Sequence, residues 1–162
     1  MIDDVASQYG CTSYRSAVGE ANVANIMKEH GSVIGGEGNG GVILPSVCWV
    51  RDSLSGMALV LDLLRTRDER LSTIVDGAPK YEMIKKTIDL VDFGGIPAIE
   101  KEIIRLKKEY ANDKFNDSDG LRIDFDEGWL HVRVSNTEPI ARVIAEAKDS
   151  LTAYKLANRV KL

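Results

Sequence analysis

The sequence predicts an α+β protein, in which a partial α/β unit is followed by a small antiparallel sheet covered on one face by two helices. Three observations predict it. Apolar residues recur at helical spacing in three segments, around Val23, Val60 and Ile103. Strict alternation of apolar and polar residues sets in after Gly120. Between the two patterns stands Asp76-Gly77-Ala78-Pro79, a cluster that punctuates structure, so a boundary is placed between 1–76 and 77–162.

In the first part, Val5 and Ala6 belong to a short helical start that stops at Gly10, and Cys11 to Tyr14 reads as a short strand. Glu20 to Glu29 reads as a helix, with Val23, Ile26 and Met27 on one face and Gly31 as its stop. Ser32 to Gly36 and Val42 to Leu44 are short strands around a glycine-rich loop. Asp52 or Ser53 caps a helix to about Arg65, with Met57, Val60, Leu61 and Leu64 as its buried face. The charges from Arg67 to Arg70 form a solvated helix end.

In the second part, Tyr81 to Leu90 is a strand. A helix starts near Pro97, where a missing N–H costs nothing, and carries Ile99, Ile103, Leu106 and Tyr110 at helical spacing. Leu121, Ile123 and Phe125 line one face of a strand. Leu130, Val132 and Val134 line one face of the next, and Trp129, His131 and Arg133 line the other. Ile140 to Ala147 is a further strand, and a last helix follows Asp149 or Ser150.

Composition narrows the function. The 162 residues carry 25 acidic and 21 basic side chains, a net charge of −4, which argues against a dedicated nucleic-acid partner. Two cysteines 37 positions apart predict neither a disulfide framework nor a cysteine-rich metal site. The N-terminus has no basic or long apolar run, and Met57 to Leu61 is too short to span a bilayer, so a cytoplasmic protein with no membrane partner is expected.

Gly36-Glu37-Gly38-Asn39-Gly40-Gly41 satisfies G-x-G-x-x-G. An extended run ending in Pro45 follows instead of the helix that would hold a pyrophosphate, so a dinucleotide is excluded. What remains is either a plain tight loop or one that lets backbone approach a ligand, with one carboxylate and one amide. Glu37 and Asn39 point the same way if the stretch is extended, and suit neighbouring sugar hydroxyls. Asp117 to Asp126 imitates part of a calcium loop, but Phe115 stands where the first carboxylate is needed, so it reads as a solvated acidic turn. His30 and His131 do not assemble with a serine or cysteine into a nucleophile and base.

Arg133-Val134-Ser135-Asn136-Thr137-Glu138-Pro139 is the strongest feature. An arginine ends a strand, and the following turn offers hydroxyls, an amide and backbone N–H groups. Arg142 lies on the outgoing strand. An arginine fork with such donors suits a phosphate. Ordinary hairpin chemistry is the competing reading.

The two loops, about 96 residues apart, together resemble the C-terminal part of the α-D-phosphohexomutases, the family of phosphoglucomutase, phosphomannomutase and phosphoglucosamine mutase. Gly36 to Gly40 is similar to the family's sugar loop, Gly-Glu-x-Ser-Gly, and Arg133 to Pro139 to its phosphate loop, Arg-x-Ser-Asn/Gly-Thr-x-Pro. Tyr14 to Gly19 resembles a third family segment, with Ser16 where Thr is usual. Asn39 replaces the usual Ser and Gly41 a frequent His, which bears on hexose preference; Glu20, at a variable position, is given little weight.

The resemblance implies sugar contacts from Glu37 and Asn39, and phosphate contacts from Arg133, Ser135, Asn136, Thr137 and Arg142. The family's Ser-His-Asn phosphoserine loop and its Asp-x-Asp-x-Asp-Arg magnesium run have no counterpart here, so no catalytic residue and no metal ligand is expected in this chain. It is expected to correspond to the later part of the third domain plus the fourth. Its expected partners are a phosphosugar and the family's N-terminal domains, with magnesium held elsewhere and a hexose bisphosphate as intermediate. The alternatives are a free-standing phosphosugar-binding module and a structural interaction module without catalysis.

Overall fold

The structure is a computed structural model and describes residues 1–135 and 137–161. The chain divides into two compact units, Met1–Pro79 and Lys80–Leu162. The division falls three residues beyond the expected 76/77 boundary, because a helix occupies Leu71–Gly77 and absorbs the Asp76-Gly77 signal.

The first unit contains α1 (Ile2–Gln8), α2 (Glu20–His30), a hairpin of β1 (Gly35–Gly36) and β2 (Val42–Ile43), α3 (Ser53–Arg67) and α4 (Leu71–Gly77). α2 ends where Gly31 enters the left-handed region at φ 61°, and Asp52 caps α3 by accepting from the N–H groups of Leu54 and Ser55. The core here is small: Ala24, Met27 and Ile43 are its buried apolar residues. Two expectations are corrected. Cys11 to Tyr14 is not a strand; the chain there has no ladder partner, and the Tyr14 ring instead stacks on His30 with centroids 3.9 Å apart. The expected buried face of α3 is not buried in this unit: Met57 is 55% and Leu61 66% exposed, and Val60 is exposed too. A hairpin of two residues per strand covers only the first turns of α3, where Ser55 is buried and Gly56 faces Val42.

The second unit contains β3 (Glu82–Asp89), α5 (Gly95–Glu109), β4 (Lys114–Asn116), β5 (Leu121–Phe125), β6 (Gly128–Val134), β7 (Ile140–Ala147) and α6 (Ser150–Ala157). The five strands form one antiparallel sheet in the order β3-β7-β6-β5-β4. Ile88, Leu121, Ile123, Leu130, Val132, Val143 and Ala145 share one face, and pack with Ile99 and Leu106 of α5 and Ala153 and Leu156 of α6. Two helices therefore cover one face, as the alternation predicts. The sequence reading missed β4, an exposed three-residue edge strand too short to show a period. α5 opens at Gly95, just before Pro97, after two glycines at φ 83° and 76° turn the chain. Asp149 caps α6 by accepting from the Thr152 N–H at 2.9 Å. Among the described residues, no helix is long and apolar enough to cross a membrane.

Candidate functional site

The glycine loop of the first unit is the turn between β1 and β2. It closes where the Gly40 N–H donates to Glu37 O at 3.1 Å and the Glu37 N–H to Gly41 O at 3.2 Å. Gly36 is required here, because a Cβ on it would lie 2.4 Å from Gly41 O. The segment is thus a tight turn rather than extended, which removes the basis for placing Glu37 and Asn39 on one side. Their surroundings differ. Asn39 is exposed, and its Oδ1 accepts from the Gly41 N–H at 3.1 Å. Glu37 is turned inward: Oε1 accepts from the Gly19 N–H at 3.2 Å and Oε2 lies 3.2 Å from Arg51 Nη1.

Arg51 is central to this cluster. Its Nε and its backbone N–H both donate to Glu20 Oε2, at 2.7 and 3.0 Å. The Arg51 side-chain hydrogen bond holds the Glu20 carboxyl below the usual carboxylate range. Sequence reasoning passed over Arg51 and set Glu20 aside; a lone arginine beside a helix cap carries no spacing signal. A cleft of about 940 Å³ opens beside this cluster, with Glu20, Asn39, Arg51, Met57, Val60 and Leu61 on its walls. It joins hydrogen-bonding groups to an apolar wall, which suits a polyhydroxylated ring.

The second loop joins β6 to β7. The Ser135 N–H donates to Ile140 O at 2.9 Å, and the Leu90 N–H anchors Pro139 O at 3.1 Å. The Thr137 N–H lies 3.4 Å from Ser135 Oγ. Asn136 lies outside the described residues. Arg133 and Arg142 are register partners on adjacent strands. Arg142 pairs with Glu138 at 2.7 Å. Arg133 is 6% exposed, so it does not lie on an open polar face as its alternation suggests. Its Nε lies 3.0 Å from Asp119 Oδ2, yet the N–H is not aligned for a hydrogen bond and Nε remains a buried donor without one.

Asp119 corrects another expectation. The acidic turn is not simply solvated: the Asp119 carboxylate pairs with Arg133, and its carbonyl accepts from His131 Nε2 at 2.7 Å. Burial pushes the His131 imidazolium below its ordinary value, against the opposing pull of Asp119. Two clustered arginines and a hydroxyl-bearing turn can hold a dianion. Among the described residues, no group of three or more His, Cys, Asp or Glu converges as a metal site.

Residues 1–81 match the family model described as phosphoglucomutase/phosphomannomutase, alpha/beta/alpha domain III, and residues 95–162 match that of the C-terminal domain. The chain is 37% identical over 150 residues to a phosphoglucomutase/phosphomannomutase of Thermococcus kodakarensis, covering 91% of this chain and 32% of the relative. It is 32% identical over 161 residues to a phosphoglucosamine/phosphogalactosamine mutase of Sulfurisphaera tokodaii, covering 99% and 35%. A phosphoglucomutase/phosphomannomutase family protein of Burkholderia thailandensis, solved by crystallography, shares the fold, with a TM-score of 0.78 at 21% identity over 98% of this chain and 33% of that one. The chain thus spans about a third of the length of the curated relatives it matches.

Proposed function

This chain belongs to the phosphoglucomutase/phosphomannomutase family, and we propose that it supplies the sugar-hydroxyl and phosphate contacts of a cytoplasmic phosphohexomutase that interconverts hexose 1-phosphate and hexose 6-phosphate. The observation that carries this reading is Arg133: a guanidinium buried on the strand that opens a hydroxyl-rich turn, standing opposite Arg142 in the ladder. Like charges directly opposite on a sheet are unfavourable, and an anion between them adds to the neutralisation that Asp119 and Glu138 already give.

In this mechanism the phosphate that is not transferred sits in the turn from Ser135 to Thr137. Arg133 and Arg142 neutralise it, and hydroxyl and backbone N–H groups fill its remaining acceptor sites. The role is positional: binding energy at the unreactive end of the sugar is used to orient the reacting end. Glu37 and Asn39 hold ring hydroxyls from the glycine loop, with Arg51 fixing the Glu37 carboxylate. The nucleophile, and any magnesium that would neutralise charge on the transferring phosphoryl group, would be held by the family's other domains, and no side chain here is assigned to either. A hexose bisphosphate that reorients between half-reactions then needs an anion site at each end.

The test is a titration of this chain with inorganic phosphate and with a hexose 6-phosphate, followed through the backbone amides. Shifts at Ser135 and Thr137 that vanish in Arg133→Ala support the reading. Unmoved loop signals at millimolar ligand overturn it, as does mutase turnover by this chain in protein free of host mutase.

A further inference from the structure

The acidic turn before β5 has no part in the mechanism above, yet it is built around Arg133. Three contacts bring it there. The Asp119 carboxylate lies 3.0 Å from Arg133 Nε and its own side chain is 20% exposed. The Asp119 carbonyl accepts a hydrogen bond from His131 Nε2 at 2.7 Å, two residues before Arg133 on the same strand. Gly120, at φ 75°, lies so close that a Cβ would stand 2.2 Å from Val132 O and 2.8 Å from the Arg133 Cα. Glycine at 120 thus lets the turn close on β6, and histidine at 131 pins its carbonyl.

We propose that Asp119 is the positioning residue of the phosphate site, holding Arg133 by its Nε edge so that the two Nη groups are presented to the phosphate. The proposal rests on the phosphate-site reading above. A guanidinium has two usable edges, and a carboxylate on one leaves the other for a second planar or tetrahedral anion. Without a partner at Nε, a buried arginine carries an uncompensated charge, and its side chain can fold away. The imperfect alignment at Nε has a consequence here. Asp119 restrains the guanidinium mainly by charge, so it can adjust when an anion arrives without breaking a strong hydrogen bond.

A simple electrostatic role predicts the opposite behaviour, because a carboxylate beside an anion site repels the anion. The experiment uses the whole chain, inorganic phosphate as the probe, and the Arg133 Nε–Hε resonance as a second readout. Asp119→Asn removes the charge with little change of shape, and is expected to weaken phosphate affinity about tenfold and to collapse the Arg133 Nε–Hε signal towards that of a solvated arginine. Asp119→Glu keeps the charge but moves it, and is expected to weaken affinity about threefold. In an Arg133→Lys background, where no planar fork exists to be oriented, Asp119→Asn is expected not to weaken binding. Equal or tighter binding by Asp119→Asn overturns the proposal, and so does an unchanged affinity in Asp119→Glu, which also decides the matter if the asparagine variant does not fold. Phosphate binding by the parent that is lost in Arg133→Ala but indifferent to Asp119 removes the positioning role alone. Absence of phosphate binding by the parent removes the site and this role with it.

Discussion

Arg133 and Arg142 stand directly opposite each other on adjacent antiparallel strands, one buried and paired with Asp119, the other half-buried and paired with Glu138. Each arginine is therefore held by a carboxylate of a neighbouring turn, but on different terms. The Asp119 pair is largely withdrawn from water, whereas the Glu138 pair is screened by solvent and readily exchanged.

That difference sets the first prediction. A phosphate must compete with Glu138 for Arg142, so Glu138→Gln is expected to tighten inorganic phosphate binding by roughly two- to threefold, mostly at low salt. Arg142→Ala is expected to weaken binding less than Arg133→Ala does. A phosphate titration of the three variants at low and at physiological ionic strength checks the order; equal losses for the two arginines contradict it.

The glycine loop yields a second prediction from the unequal burial of Glu37 and Asn39. Glu37 ties the turn to Gly19 and Arg51, so Glu37→Ala is expected to speed hydrogen exchange at the Gly19 amide by at least severalfold and to free Arg51 from one of its two carboxylates. The Asn39 Oδ1 accepts from the Gly41 N–H of its own turn, and Asn39→Ala is expected to leave the Gly19 amide unchanged. In a catalytically complete family enzyme carrying this segment, both changes are expected to lower turnover. Amide exchange on this chain separates the structural share of the Glu37 effect from the rest.

Much of this was legible in the sequence where a period or a turn residue was strong. Alternation set the core face of β5 and β6, and Ile140 to Ala147 was read with its observed bounds. The helix stop at Gly31 and the caps Asp52 and Asp149 follow from side-chain chemistry that acts within one turn. The failures have one physical origin. Leu61 and Met57 carry a helical apolar pattern, but a pattern states only that a face can be buried, not that this unit supplies its cover. In the same way, Arg133 was assigned to a polar face because alternation knows nothing of a turn 13 residues upstream folding onto it. The Arg133–Pro139 loop stands out in the sequence because its hydroxyls, amide and arginine are contiguous. Asp119, Arg51 and Glu20 do not, because their partners are 14 to 31 positions away.

A third prediction concerns the far side of the second unit. Glu102 is 6% exposed, receives two Arg105 donors at 2.8 and 2.6 Å, and accepts from the Lys161 N–H at 2.7 Å. Burial alone pushes this carboxyl up, but the hydrogen bonds from Arg105 and Lys161 outweigh it and the net shift is downward. A lowered carboxylate contributes stability that is present above its unfolded value and lost as pH falls through its folded one. Glu102→Ala, which removes the acceptor of the Lys161 N–H and leaves Arg105 only Glu109 and the Arg159 carbonyl, is expected to cost about 1–3 kcal/mol at neutral pH. Glu102→Gln, which keeps an acceptor, is expected to cost less and to shallow the acid limb of a stability–pH profile measured by urea unfolding. An acid limb identical to that of the parent contradicts the assignment.

The last prediction rests on His131, which donates from Nε2 to the Asp119 carbonyl and shares its sheet face with Arg122 and Arg133. Burial is the main reason its imidazolium is disfavoured; Asp119 opposes the shift, and the two arginines add to it. The folded value therefore lies below the unfolded one, near 6.5. Between those two values the unfolded chain binds more protons than the folded chain, so stability rises with pH across that window. Above the unfolded value both states are neutral and the residue contributes no slope; below the folded value both are charged and the loss is complete. Urea-unfolding midpoints at fixed temperature are expected to fall as pH drops below about 6.5, before the carboxylates titrate. His131→Gln keeps an N–H that can reach the Asp119 carbonyl but cannot be protonated, and it is expected to flatten this slope while leaving the carboxylate-dependent limb in place. An NMR titration in which the His131 ring protonates at or above the ordinary histidine value, or a glutamine variant with the slope of the parent, contradicts the prediction.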